Sequence, residues 1–101
     1  MDRTIVLSDK AKSSLNKIFS YLDSNWPLKV KQQSILKLES RLEVIANNPR
    51  TFPASAIKKG LHKCIISKHS TVYYTYDEEF IYVLTVFDTR SDPDNLTKDL
   101  I

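Results

Sequence analysis

The run Phe80-Ile81-Tyr82-Val83-Leu84-Thr85-Val86-Phe87 constrains the fold more than any other part of the chain. Successive side chains of a strand turn to opposite faces, and here both alternations are apolar. Phe80, Tyr82, Leu84 and Val86 form one set; Ile81, Val83 and Phe87 form the other. Water on either face would leave one set unburied, so the pattern predicts a central strand covered on both faces. Two more strand-like runs precede it, Lys63–Ser67 and Thr71–Tyr76. They are separated by Lys68-His69-Ser70 and Asp77-Glu78-Glu79, polar breaks of hairpin length. A fourth run, Thr4-Ile5-Val6-Leu7, is rich in β-branched residues and reads as a short first strand.

Between the first strand and the other three the period changes. Ser8 suits a helix N-cap, Asp9 complements the positive helix end, and apolar residues recur at Ala11, Leu15, Ile18, Phe19, Leu22 and Trp26. Pro27 cannot sit inside that helix but can open another. The second stripe is Leu28, Ile35, Leu38, Leu42 and Ile45, closed by the turn residues Asn47-Asn48-Pro49. Arg50 to Gly60 shows no period and reads as a basic loop entering the sheet. Ser91-Asp92-Pro93-Asp94 reads as a turn before a short C-terminal segment. The predicted order is β-α-α-β-β-β: an α+β fold in which a helical hairpin packs on a mainly antiparallel sheet.

A length of 101 residues fits one domain spanning 1–101. With 42% hydrophobic and 27% charged residues, the composition excludes a disordered chain. One glycine excludes a Gly-rich phosphate loop, and one cysteine, Cys64, excludes an intrachain disulfide. Cys64 with His62 and His69 has no recognised zinc spacing, so neither metal nor cofactor is expected. The apolar stretch after Met1 is too short for a signal-peptide core, and no run approaches the length of a membrane span. Cytoplasm is the expected compartment, with no membrane contact.

The net charge of +3 is unevenly distributed. Val44 to Tyr76 contains no Asp or Glu, yet holds Arg50, Lys58, Lys59, Lys63 and Lys68, with His62 and His69. From Asp77 onward seven acids face only Arg90 and Lys98. A cation-only stretch suits an anionic partner, whether nucleic acid or an acidic protein segment. A solvated face balanced from elsewhere in the fold gives the same pattern, and charge alone leaves both open.

Several pieces in this order resemble the RelE/ParE superfamily of toxins. Leu7-Ser8, Ala11, Leu15, Ile18 and Tyr21-Leu22 are similar to the family's opening strand and helix. Leu42, Ile45 and Asn47-Asn48-Pro49 resemble the close of its second helix. Gly60-Leu61-His62-Lys63, Val72-Tyr73-Tyr74 and Val86-Phe87-Asp88-Thr89-Arg90 resemble its three later strands. The resemblance implies the toxin of a type II toxin–antitoxin module, neutralised by a cognate antitoxin that also mediates any contact with operator DNA. RelE-like members cleave mRNA on the ribosome without a metal; ParE-like members act on DNA gyrase and are not nucleases.

In the nuclease branch the resemblance implies lysines entering the middle strands, an arginine in the next strand, an arginine ending the last, and often a tyrosine or histidine beyond it. Lys63, with Lys58 or Lys59, takes the first place, and Arg90 takes the last-strand place. Ser70 or Thr71 stands where the middle-strand arginine belongs, and no Tyr or His follows Arg90. Each missing group is typically worth about 10²–10³ in rate. The expectation is therefore a ParE-like gyrase inhibitor whose Lys58, Lys59, Lys63, Lys68 and Arg90 contact the target. Lys63 and Arg90 are catalytic only under the alternative, a RelE-like mRNA endoribonuclease; a third reading is a degenerate member retaining only antitoxin binding. Blander roles compete for the same residues. Arg90 can pair with Asp88 or Asp92, and Tyr73, Tyr74, Tyr76 and Tyr82 fit sheet packing better than base stacking. His62 and Lys63, adjacent on a strand, should point to opposite faces.

Overall fold

The last strand does occupy the middle of the sheet. The computed structural model describes residues 2–67 and 70–88. It contains β1 (Thr4–Leu7), α1 (Asp9–Asn25), α2 (Leu28–Asn47), a 3-10 turn (Pro49–Thr51), β2 (His62–Ser67), β3 (Ser70–Tyr76) and β4 (Phe80–Asp88). The sheet order is β1-β4-β3-β2. β2 pairs antiparallel with β3 and β3 with β4, while β1 lies parallel to β4 with Thr4 opposite Phe80. Parallel neighbours need a long crossover, and everything from α1 to β3 supplies it. The architecture is the expected α+β arrangement, on a mixed sheet. The segment 89–101, including the turn and C-terminal stretch expected there, lies outside the described residues.

Ser8 ties the first helix to the central strand. Its hydroxyl accepts the Ala11 N–H at 3.0 Å, capping α1, and donates to the Leu84 carbonyl at 2.7 Å. The Ser8 N–H bonds the neighbouring Val83 carbonyl at 3.0 Å. Leu84 is where the β3–β4 register shifts: Tyr73 lies opposite Thr85, but Tyr74 lies opposite Val83. An extra residue in one strand re-aims the side chains that follow it. Thus Ile81 and Val83, then Val86, face the helices, whereas Leu84 and Phe87 pack beside Tyr73 and Leu61 on the far side.

Pro27 is the N-cap of α2 and accepts the Val30 N–H at 2.9 Å, so the proline stands one position outside the helix it opens. α1 starts beside Leu84 and α2 ends beside the first strand, where Arg3 N–H meets the Ala46 carbonyl at 3.0 Å. The two helices are therefore antiparallel. Lys31 and Asp23 pair at 2.9 Å across the break, an exposed contact of little energetic weight. The main core joins Ala11, Leu15 and Ile18 of α1 and Leu38, Leu42 and Ile45 of α2 to Cys64, Ile66, Val72, Tyr74, Ile81, Val83 and Val86 of the sheet.

Among the described residues the helices cover one face of β4. Among the described residues its outer face has a smaller cluster in which Leu61 and Tyr73 are buried and Leu84 and Phe87 half-buried. The loop after α2, read as irregular, contains the 3-10 turn and then runs along the start of β2. Lys63 N–H donates to the Pro53 carbonyl at 3.1 Å and Ser55 N–H to the Leu61 carbonyl at 2.7 Å. Ile65, further along that edge, is 61% exposed. No helix among the described residues is long and apolar enough to cross a membrane.

The β3–β4 turn manages without glycine because Asp77 replaces its chemistry. One carboxylate oxygen accepts the N–H groups of Glu79 and Phe80, each at 2.8 Å, and the other accepts the Tyr82 hydroxyl at 2.9 Å. The Glu79 and Phe80 bonds, then that of Tyr82, hold the Asp77 carboxyl below the usual carboxylate range.

Ser8→Ala removes a cap and leaves the Leu84 carbonyl without its hydroxyl partner; the urea midpoint should fall by the equivalent of about 1–2 kcal/mol. Asp77 binds its proton more weakly when folded, so its stabilisation is complete above the unfolded carboxyl range and lost as pH falls through the folded value. The unfolding free-energy difference between the wild type and Asp77→Asn should stay constant from about pH 7 to 5 and shrink below about pH 4.

Candidate functional site

Of the five cations expected to contact the target, three lie among the described residues. Lys68 and Arg90, with His69, lie outside the described residues. Lys58 and Lys59 are exposed in the turn before β2. That turn closes with Leu61 N–H on the Lys58 carbonyl at 3.2 Å and with Gly60 at φ 81°, the left-handed conformation glycine tolerates best. Lys63 is held by a strand, directly opposite Tyr73 in the register. Cys64 and Ile66 enter the helix-side core, so Lys63 shares the outer face with Tyr73, Leu61, Leu84 and Phe87. Lys63 makes no side-chain hydrogen bond or ion pair among the described residues.

Ser70 and Thr71, the two candidates for the middle-strand position, are both uncharged. Ser70 faces Asp88 across the register and its hydroxyl lies 3.3 Å from that of Ser67; Thr71 faces Phe87 and is buried. The outer face, as described, is an apolar and aromatic surface with one strand-borne ammonium. Such a surface binds a partner by desolvation around a charged anchor. A phosphate in reaction would need several converging cations.

A second cluster, which the sequence reading did not assemble, lies where β2 begins and β3 ends. His62 stacks on Tyr74 with centroids 5.5 Å apart and leans against Tyr76 at 5.4 Å. Its Nδ1 is 3.0 Å from the Phe52 carbonyl. Arg50 Nε donates to the Tyr76 hydroxyl at 3.4 Å, and the Arg3 guanidinium lies 5.4 Å from the centre of the same ring. Arg50 was visible in sequence only as part of the basic stretch, and Arg3 gave no signal. Phe52 and Pro53 also line a small hollow with Arg41, Lys63 and Ile65. His62 and Lys63 are on opposite faces, as predicted.

Between the hairpin tip and the sheet opens a cavity of about 380 Å³. Leu15, Ile18, Leu22, Trp26 and Leu38 line it from the helices, and Ile66 and Val86 from the sheet, with Lys37 and Asp88 among the polar groups. Trp26 is 47% exposed and Leu28, at the start of α2, 65%. Beneath the sheet surface, burial pushes the Cys64 thiol up, with Arg41 pulling weakly the other way; burial likewise raises Tyr74.

Comparison with known proteins gives one family. The family model of the ParE toxin of the type II toxin–antitoxin system parDE matches residues 5–93. Among solved structures, a chain of the chromosomal ParDE system from P. aeruginosa superposes with a TM-score of 0.68 at 9% identity, covering 85% of this chain and 95% of that one. YoeB from Staphylococcus aureus, solved as a dimer, gives 0.58 at 17% identity, covering 84% and 94%. The E. coli DinJ-YafQ toxin–antitoxin complex gives 0.57 at 13%, covering 89% and 96%. At those identities the likeness is one of fold. Comparison with curated protein sequences gives no match.

A buried thiol whose proton is held more tightly than usual should be inert in the native protein. Cys64 should react with a thiol-exchange reagent at pH 7.5 at least about a hundredfold more slowly than the urea-unfolded chain, followed by thiolate release.

Proposed function

Because this chain belongs to the ParE toxin family of type II toxin–antitoxin systems, we propose that it arrests growth by binding DNA gyrase and is neutralised by a cognate antitoxin. The observation that carries the reading is the outer sheet face, where Lys63 stands among Leu61, Tyr73, Leu84 and Phe87. Ser70 or Thr71 stands at the strand position where a nuclease of the superfamily would carry an arginine. A docking surface fits that composition better than a phosphoryl-transfer site does. Lys58, Lys59, Lys63, Lys68 and Arg90 serve as charged contacts to the target.

The antitoxin reading draws on two features besides the family. The cation-only stretch from Val44 to Tyr76 offers charge to an acidic segment that folds as it binds. The cavity between hairpin and sheet offers apolar volume for that segment's side chains, edged by the exposed Trp26. A toxin–antitoxin complex among the similar folds supports the same partner class. Operator DNA is reached only through the antitoxin.

The alternative, ribosome-dependent mRNA cleavage, is separated by one variant read in two assays. Purified toxin should abolish supercoiling by gyrase near stoichiometric amounts, and Lys63→Ala should change that potency by no more than about tenfold, the loss of one contact. Primer extension on translated mRNA should show no new 5′ ends. Intact supercoiling together with new ends that Lys63→Ala suppresses by about a hundredfold or more would replace this reading with the nuclease one.

A further inference from the structure

Arg3, Arg50 and His62 come from three separate parts of the chain and all pack against one side chain, Tyr76. Two of the three are permanent cations, and neither is neutralised by a carboxylate in contact. Arg50 is exposed and makes no ion pair among the described residues. Arg3 Nε donates at 2.6 Å to the main-chain carbonyl of Asp77, not to its carboxylate. That carboxylate, the acid nearest the cluster in the hydrogen-bond network, already accepts from Glu79, Phe80 and Tyr82. The Asp77 carboxylate is near enough to act on Arg3, so the cation of the cluster without a counterion among the described residues is Arg50.

The donors in the cluster are also poised. Arg50 uses Nε on the tyrosine oxygen, which leaves the two terminal nitrogens of its guanidinium fork for a ligand. Tyr76, accepting from Arg50, keeps its own hydroxyl hydrogen to give. The Phe52 carbonyl can only accept, so a ring with one hydrogen carries it on Nδ1; its Nε2 is then an acceptor, and His62 serves the cluster by packing against Tyr76 rather than as a donor. Arg3 on the Tyr76 ring occupies a face on which a base would otherwise stack. The cluster is thus equipped for an oxyanion rather than for a ring.

We propose that Arg50, Tyr76 and Arg3, with His62 packed against Tyr76, form a phosphate-binding site that takes the backbone of a single-stranded nucleic acid. A strand is favoured over an isolated phosphate because the charge continues. Beside Phe52 and Pro53, whose segment also anchors His62, Arg41 and Lys63 line the neighbouring hollow. Cations at two neighbouring places along one short segment suit a ligand whose charge repeats along its length. The Tyr76 cluster stands apart from the apolar patch assigned to gyrase, and the two surfaces share only Lys63, which lines the hollow beside the cluster.

The test uses the full-length toxin, labelled with nitrogen-15, titrated separately with inorganic phosphate, a twelve-nucleotide single-stranded DNA and poly-glutamate of similar charge. The DNA should shift the Arg50 Nε–H and Tyr76 resonances. Its apparent affinity should fall with salt at a log–log slope of about −2, as expected for roughly three neutralised phosphates. Phosphate alone should move the same signals only at millimolar concentrations. Arg50→Gln should weaken DNA binding about tenfold and flatten the slope by about one, and Tyr76→Phe should weaken it about threefold. Lys29→Gln, an equal loss of charge on α2, should leave the affinity unchanged. The amide spectrum of each variant reports that its fold is retained. The proposal is overturned if DNA leaves Arg50 and Tyr76 unmoved, if phosphate alone binds as tightly as the strand, or if poly-glutamate produces the same shifts at equal affinity.

Discussion

One hydrogen bond joins the two halves of this fold: the Tyr74 hydroxyl donates to the Pro49 carbonyl at 2.6 Å, in the core. Pro49 is buried at the exit of α2, where a proline can neither prolong the helix nor offer an N–H. Without the phenol its carbonyl would be buried with no partner, a cost of about 1–3 kcal/mol. The phenol suits the task because burial keeps it protonated and donating. With Pro49 fixed, the 3-10 turn follows, secured by Asn48 accepting the Arg50 N–H at 3.2 Å. Phe52 is then in place to hold His62, whose ring lies flat on the same Tyr74. The end of the helical layer, the course of the next loop and the start of β2 are thus set from a single tyrosine.

The elements themselves were legible because each is written locally. Ser8 before the stripe of α1, Pro27 before that of α2 and the doubly apolar run of β4 are patterns of neighbouring residues, and each emerged within one or two positions of its expected place. What was not legible depends on pairing between distant segments. Nothing in Thr4–Leu7 announces that its neighbour is β4, nor that the two run parallel. Leu84 looks like any other residue of an alternating strand, yet the register shifts there and its carbonyl receives Ser8. Reading strict alternation through Leu84 therefore puts Val86 with Leu84, whereas it packs with Val83.

The same distinction governs the candidate sites. The basic stretch could be read as a stretch, and the opposite facing of His62 and Lys63 follows from strand geometry alone. Its internal division could not be seen. Lys63 belongs to the outer face, while Arg50 and His62 belong to a cluster completed by Arg3 from before the first strand and Tyr76 from the end of the third. Charge counted along a sequence merges what the sheet order separates. Lys68 and Arg90, two of the cations expected to contact the target, lie outside the described residues.

The loop that runs back along β2 has a bearing on how these molecules tolerate crowding. An outer strand with free amides is a template on which another chain can lengthen the sheet. Here Pro53 and Ser55 already occupy the opening positions of that rim, bonded to Lys63 and Leu61. Only the stretch from Ile65 onward is left, too short for the ladder that a stable added strand requires. An apolar residue as bare as Ile65 can thus be carried at the margin of the sheet without inviting fibre growth.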